Sequence, residues 1–242
     1  MLLLAGSATA LATGLGAVPV FMLGERSRVL RPALWGFAGG TMGVASVVGL
    51  LLPALDDGSF AEVAGGVALG VTFMLATRRF LDTHDVHVGG MDGRRARPTV
   101  LVFSVLFVHS VPEGLAIGTA YASETAGLGL YVILAIALQN VPEGTSTAIP
   151  MDAAGFGRAQ QFWAAVLTSA PQPVAAVVAF LAVEQVESLL PISFGFAAGA
   201  MLALVALELV PQALADGRWR GALLGAAAGA ALMLLLAALL GV

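Results

Sequence analysis

The stretch "HSVPEGLAIG" runs from His109 to Gly118, and "QNVPEGTSTA" runs from Gln139 to Ala148. Each sets a Val-Pro-Glu-Gly core inside a long apolar run. A carboxylate in such a run is costly to insert into a membrane, by about 2.5–3.5 kcal/mol at the centre of a spanning helix. A chain that carries two in nearly the same words uses them, and intramembrane acids typically face a bundle interior and mark an ion or proton path.

The surroundings fix the setting. Of the 242 residues, 59% are hydrophobic and only 11% are charged, against about 25% charged in soluble domains. The composition is that of an integral membrane protein. Apolar runs of the ~20 residues needed to cross a bilayer can be drawn at 1–23, 33–55, 60–80, 98–121, 128–149, 159–182, 190–212 and 220–242. These runs are continuous and rich in Leu, Ala and Gly, not the alternating segments of about 10 residues that a β-barrel requires. The expected fold is therefore all-α, with eight transmembrane helices in one domain, 1–242. The first run lacks a basic leading region, its first arginine being Arg26, and reads as a retained span and not a signal peptide. With no cysteine in the chain, disulfides and thiolate metal sites are excluded.

Arginine sets the orientation. All 11 basic residues are arginines. They fall in or beside alternate loops: Arg26, Arg28 and Arg31; Arg78, Arg79, Arg94, Arg95 and Arg97; Arg158; Arg218 and Arg220. The opposite loops hold Asp56, Asp57, Glu62, Glu124, Glu184 and Glu187 without any arginine. The positive-inside rule makes the arginine side cytoplasmic and both termini extracytoplasmic. The segment 82–97 is then the cytoplasmic loop between the third and fourth spans. The Arg94–Arg97 cluster acts as topology signal, with anionic lipid as its second role.

The fourth and fifth spans run in opposite directions and share V-P-E-G. A fainter echo links "FAGGTMGVASVVGLLLP" from Phe37 to "FAAGAMLALVALELVP" from Phe196, in the second and seventh spans. Both echoes relate antiparallel helices, which predicts inverted repeats with a midplane site between them. Gly36/Gly40, Gly39/Gly43, Gly66/Gly70 and Gly221/Gly225/Gly229 have the small-xxx-small spacing of close helix packing.

His109 and Glu113 are one helical turn apart, as are Gln139 and Glu143, so each pair shares a face. Pro112 and Pro142 lack an N–H and leave the carbonyls of Val108 and Leu138 free beside the acids. Gly114 and Gly144 leave room for a ligand or a close helix. One imidazole, two carboxylates and an amide oxygen suit a divalent transition metal. The residues alone also allow a proton- or sodium-coupled carrier of an organic solute, with the glutamates as ion sites. An intramembrane metallohydrolase is disfavoured, because no H-E-x-x-H is present.

These paired motifs resemble the ZIP family (zinc/iron-regulated-transporter-like proteins), especially its prokaryotic branch, and the resemblance covers the whole chain. It implies a cell-membrane transporter, not an enzyme, that moves Zn²⁺, or Fe²⁺, Mn²⁺ or Cd²⁺, into the cytoplasm. It also implies one helix bundle moving against another. The metal is substrate, with no catalytic cofactor. The partners are the lipid bilayer, the metal ions and, in a homodimer, a second copy; no nucleic acid is expected. Carried over, His109, Glu113, Gln139 and Glu143 form the primary metal site. Ser110, Asn140 and Gln172 stand where the family often has further ligands of an adjoining site, and "ELVPQ" puts Glu208 on the cytoplasmic half of the path. Because Ser110, Asn140 and Gln172 are neutral, one tightly held ion is expected and not a bridged pair. Asp82, His84, Asp85 and His87 in "DTHDVH" form a candidate loop site. It tunes transport without being required.

Overall fold

The computed structural model describes residues 1–23, 27–83, 97–215 and 217–242. They form helices α1 (Leu2–Leu15), α2 (Val18–Leu23), α3 (Ser27–Ser46), α4 (Leu52–Asp57), α5 (Phe60–Thr83), α6 (Arg97–Ala122), α7 (Leu128–Ala153), α8 (Arg158–Thr168), α9 (Pro171–Gln185), α10 (Leu189–Leu204), α11 (Val210–Leu214) and α12 (Trp219–Leu240). No strand occurs among the described residues.

Among the described residues, seven stretches are long and apolar enough to cross a membrane: Leu2–Met22, Val29–Asp57, Phe60–Leu81, Val102–Ala122, Arg158–Gln185, Leu189–Leu214 and Trp219–Leu240. The eighth expected span, 128–149, forms α7, a 26-residue helix. Its Gln139, Asn140, Glu143, Thr145, Ser146 and Thr147 keep it out of that set. It compensates by burial, packing against α1, α3, α6 and α8. At the other extreme, α12 is highly apolar yet little buried, with Leu223, Leu224, Leu235 and Leu239 exposed. An apolar surface of that kind is explained by lipid and not by water.

Proline decides where the long rods break. In the first, α1 stops before Gly16 and Ala17, and α2 carries Pro19 as its second residue. In the sixth, α8 stops before Ser169 and Ala170, and Pro171 opens α9. Proline cannot donate to the carbonyl four residues back, and each break lies just ahead of one, while Ala170, which precedes Pro171, keeps helical angles. The second and seventh rods stay continuous but contain π-helical turns, Val47–Leu51 and Val205–Leu209. There the N–H of Leu52 reaches back five residues to Val47, and that of Val210 to Val205. Pro53 and Pro211 follow at once and cannot donate, so the helical ladder is reset just before them. By contrast, α6 and α7 run unbroken through Pro112 and Pro142. The interruptions therefore lie outside the V-P-E-G helices.

A repeat emerges. A broken rod, a rod with a π turn and a straight helix come first (α1–α2, α3–α4, α5), and the same series returns later (α8–α9, α10–α11, α12). The two V-P-E-G helices, α6 and α7, stand between. Packing follows the same rule: α1 lies on α7 as α9 lies on α6, and α3 lies on α12 as α10 lies on α5.

Glycines carry these contacts backbone to backbone. On α3 and α12, a Cβ at Gly36 would fall 2.0 Å from the Ala222 carbonyl oxygen, and one at Gly225 2.0 Å from that of Ala33. On α5 and α10, a Cβ at Gly70 would fall 2.1 Å from the Phe196 oxygen, and one at Gly199 2.3 Å from that of Val67. Gly40, Gly66 and Gly229 pack likewise, whereas Gly43 and Gly221 meet nothing and Gly39 touches only side chains. The spacing thus identified the contact faces at three of its four occurrences, in part for Gly221/Gly225/Gly229, and failed for Gly39/Gly43.

The helices accordingly form two groups, α1–α2 with α6–α9 and α3–α5 with α10–α12. They meet chiefly along α6–α10 and α3–α7. One side-chain hydrogen bond bridges them there, between the hydroxyls of Thr119 and Ser193 at 2.7 Å.

Gly70→Ala and Gly36→Ala should each destabilise the detergent-purified protein by about 1–3 kcal/mol, the usual cost of overpacking. Gly43→Ala should leave the thermal midpoint unchanged. Equal midpoints for all three variants would disprove the backbone-contact account.

Candidate metal centre

The centre lies where α6 and α7 face each other. His109 and Glu113 project from α6, Gln139 and Glu143 from α7, and all four are buried. The two i, i+4 faces inferred from the sequence do converge. One ligand atom from each of His109, Glu113 and Glu143 lies within 4.8 Å of the other two. His109 Nε2 is 3.5 Å from Glu113 Oε1, and the Gln139 amide donates to the same oxygen at 2.6 Å.

The remaining polar atoms are notable for what they lack. Both ring nitrogens of His109, the Gln139 Oε1 and the Glu143 Oε1 are buried without a hydrogen-bond partner. Such an atom costs about 1–3 kcal/mol. One imidazole can turn only one of its nitrogens to an ion, and one from His109 lies close to a carboxylate oxygen of each of Glu113 and Glu143, with the Gln139 oxygen a further unpartnered acceptor.

Gly144 and Gly114 make this approach possible. A Cβ on Gly144 would fall 1.7 Å from the Thr13 carbonyl oxygen, and one on Gly114 2.4 Å from that of Gln172. The space they leave is filled by a neighbouring helix, which decides between the two uses the sequence left open. The contacts bring the broken rods α1–α2 and α8–α9 against the site.

Those rods supply an orienting network. The Gln172 amide donates to Glu113 Oε2 at 2.5 Å. Its oxygen accepts from Thr9 Oγ1 at 2.7 Å and from Asn140 Nδ2 at 3.3 Å. Asn140 also donates to the Thr9 carbonyl at 2.8 Å. The Thr9 hydroxyl faces two acceptors, the Gly6 carbonyl at 2.9 Å and the Gln172 oxygen at 2.7 Å, and with the Gln172 oxygen placed there its NH₂ faces Glu113. Both oxygens of Glu113 are thus held by amide donors. Around the break, Thr13 and Ser169 share a hydroxyl contact of 2.6 Å, and Thr145 donates to the Gly16 carbonyl at 2.6 Å.

Other residues singled out in the sequence lie apart from one another. Ser110 turns to backbone carbonyls, donating to Leu106 at 3.0 Å and to Thr168 at 2.9 Å. Glu208 sits on the second π turn beside Arg78, 3.5 Å away. Asp82 ends in α5, while His84, Asp85 and His87 lie outside the described residues. Sequence reasoning missed Thr9 and Thr13. Their signal was two hydroxyls at i, i+4 in the otherwise apolar "SATALATG".

A buried imidazole and two carboxylates so grouped could hold a metal ion. The model of the ZIP Zinc transporter family matches residues 82–237, and the chain belongs to the ZIP family. It is 33% identical to the zinc transporter GufA of Myxococcus xanthus, over 97% of this chain and 95% of that one. With the zinc transporter ZIPB of Bordetella bronchiseptica it shares 34% identity over 98% of this chain and 81% of the relative. A putative zinc transporter of Arabidopsis thaliana is 35% identical over 85% of this chain, but the match spans only 33% of the plant protein's length.

Glu143→Gln replaces a buried acid that faces another carboxyl group and has one unpartnered oxygen. It should stabilise the protein in EDTA by about 0.5–2 kcal/mol, the size of a common single stabilising substitution. A lower thermal midpoint for this variant in EDTA would show that the carboxylate is structural.

Proposed function

We propose that this protein carries divalent transition-metal ions, Zn²⁺ foremost, across the cell membrane into the cytoplasm, and that His109, Glu113, Gln139 and Glu143 bind the ion in transit. The observation that carries this reading is the donor set of buried atoms without partners, grouped around the Glu113 carboxylate. Two carboxylates balance a 2+ ion. Imidazole nitrogen and carboxylate oxygen are zinc's usual non-thiolate ligands, at about 2.0–2.2 Å from the metal. The same ligands admit Fe²⁺, Mn²⁺ and Cd²⁺. The relatives' names, all zinc transporters, support zinc.

In this reading the chain has eight spans. α7 crosses as the fifth, shielded from lipid by its neighbours, and the halves are inverted repeats. The arginines then lie on the cytoplasmic side and both termini outside.

The centre holds one ion. A bridged pair would bring a charge of +4 into a low-dielectric site, where repulsion is strong. Where a further carboxylate would offset that charge, Gln172 presents an N–H to Glu113. Asn140 is likewise committed to Thr9 and Gln172, and Ser110 to backbone.

The test is uptake of radioactive zinc into proteoliposomes. Glu113→Ala and Glu143→Ala should each bring uptake to the level of empty vesicles while the protein still inserts. Uptake near the wild-type rate in either variant would remove that residue from the site, and movement of protons or an organic solute without any divalent ion would end the metal reading. For stoichiometry, anomalous scattering from crystals soaked in excess Zn²⁺ should give one peak among the four residues. Two full peaks about 3.5–4 Å apart, the spacing of a bridged pair, would refute the single-ion site.

A further inference from the structure

A cavity of about 210 Å³, mostly apolar but lined also by Arg78, Glu208 and Gln212, opens on the arginine-bearing end of the bundle. Trp35, Arg78, Leu106, Glu208 and Gln212 are among its lining residues. It adjoins the metal centre through α6. The Leu106 carbonyl accepts the hydroxyl of Ser110, and Ser110 is the neighbour of His109.

Glu208 is the acid of this cavity, and it is not free. Arg78, reaching across from α5, places Nη1 3.5 Å from Glu208 Oε1 and donates to the Leu207 carbonyl at 2.8 Å. That carbonyl stands four residues before Pro211 and so has lost its ordinary helical donor. The π turn therefore offers two acceptors side by side, one charged and one an orphaned carbonyl, and a single guanidinium takes both. Glu208 is 22% exposed and Arg78 45%, which places the pair at the mouth of the cavity and not in the core.

Without Arg78, the Glu208 carboxylate, the Leu207 carbonyl and the Gln212 amide would give three oxygen donors, a set that suits divalent cations. With Arg78 in place, a positive charge that no working pH removes occupies the same ground and repels a 2+ ion. We propose that Arg78 masks Glu208, so that a divalent ion passing from the midplane site toward the cytoplasm is not captured at the cavity mouth. This rests on the metal-transport reading and gives Glu208 a different role from the transit ligand suggested by the family resemblance. Arg78 is a positioning residue here, and it acts on the ion only through Glu208.

The experiment is equilibrium dialysis of the purified full chain against Zn²⁺, with metal counted by mass spectrometry. It uses wild type, Arg78→Gln, Arg78→Lys, Glu208→Gln and the Arg78→Gln/Glu208→Gln double variant. Arg78→Gln should bind about one additional Zn²⁺ per chain through the exposed oxygens, and the double variant should lose that gain. Arg78→Lys, which keeps the charge, should match wild type. In proteoliposomes Arg78→Gln should slow zinc uptake, and the second substitution should restore it. Arg78→Gln protein that binds no more Zn²⁺ than wild type, or that transports faster, would overturn masking in favour of a simple barrier. Glu208→Gln protein that binds one ion fewer than wild type would overturn it as well, and that variant keeps the test decisive if Arg78→Gln fails to fold. Wild-type protein that binds no zinc would instead end the reading of the midplane site, while the difference between Arg78→Gln and wild type would still decide the masking.

Discussion

Two carboxyl groups buried side by side are the constraint on which this structure depends. Among the described residues, neither Glu113 nor Glu143 has an arginine beside it. Glu113 is held by neutral amides, and Glu143 keeps an oxygen without any partner. Neutral donors orient a carboxylate without cancelling its charge, so the pair stays ready for a cation. An arginine there would have satisfied the acids and closed the site. The contrast with Glu208, which does have its arginine, lies within one molecule.

The rest of the fold serves that arrangement. Bringing four polar side chains to one point requires helices closer than ordinary side chains permit, and glycine supplies the approach where α1 meets α7 and α6 meets α9. The broken rods then deliver Thr9 and Gln172 from outside the V-P-E-G pair. Polar bonds between helices concentrate in the group that holds the site. The other group is knitted by glycine–carbonyl contacts, with Arg78 as its polar tie. In lipid, apolar burial gives no net drive for helix association, and close packing and hydrogen bonds take its place.

Much of this was legible in the sequence. Spacing put His109 with Glu113 and Gln139 with Glu143, and the duplicated V-P-E-G paired the helices that carry them. Composition gave the membrane, and the Phe37 and Phe196 echo marked two rods that do share a π turn. What escaped was anything set by backbone register. Pro112 and Pro142 look like breakers, yet their helices continue. Pro53 and Pro211 look ordinary, yet a π turn precedes each. At Pro211 the freed Leu207 carbonyl is taken by Arg78 from another rod, a contact that no local pattern encodes. Arg78 escaped for a similar reason. Its position near a loop made it a topology signal, and only the fold shows it reaching a carbonyl on another rod. The fifth span was read as apolar as the others, but its polar face is wide enough to set it apart.

That polar face of α7 bears on how the chain is made. A helix carrying Gln139, Asn140 and Glu143 on one side gains little by leaving the translocon for lipid alone, since each such group weighs against partitioning. Its tight fit against α1 and α6 supplies what its own side chains do not. α1 and α6 are both synthesised before it. During biogenesis the ribosome has thus already delivered the larger part of the surface that α7 needs, with α8 and Gln172 of α9 following to complete it. The most polar long helix of the bundle is thus the one that depends most on its neighbours.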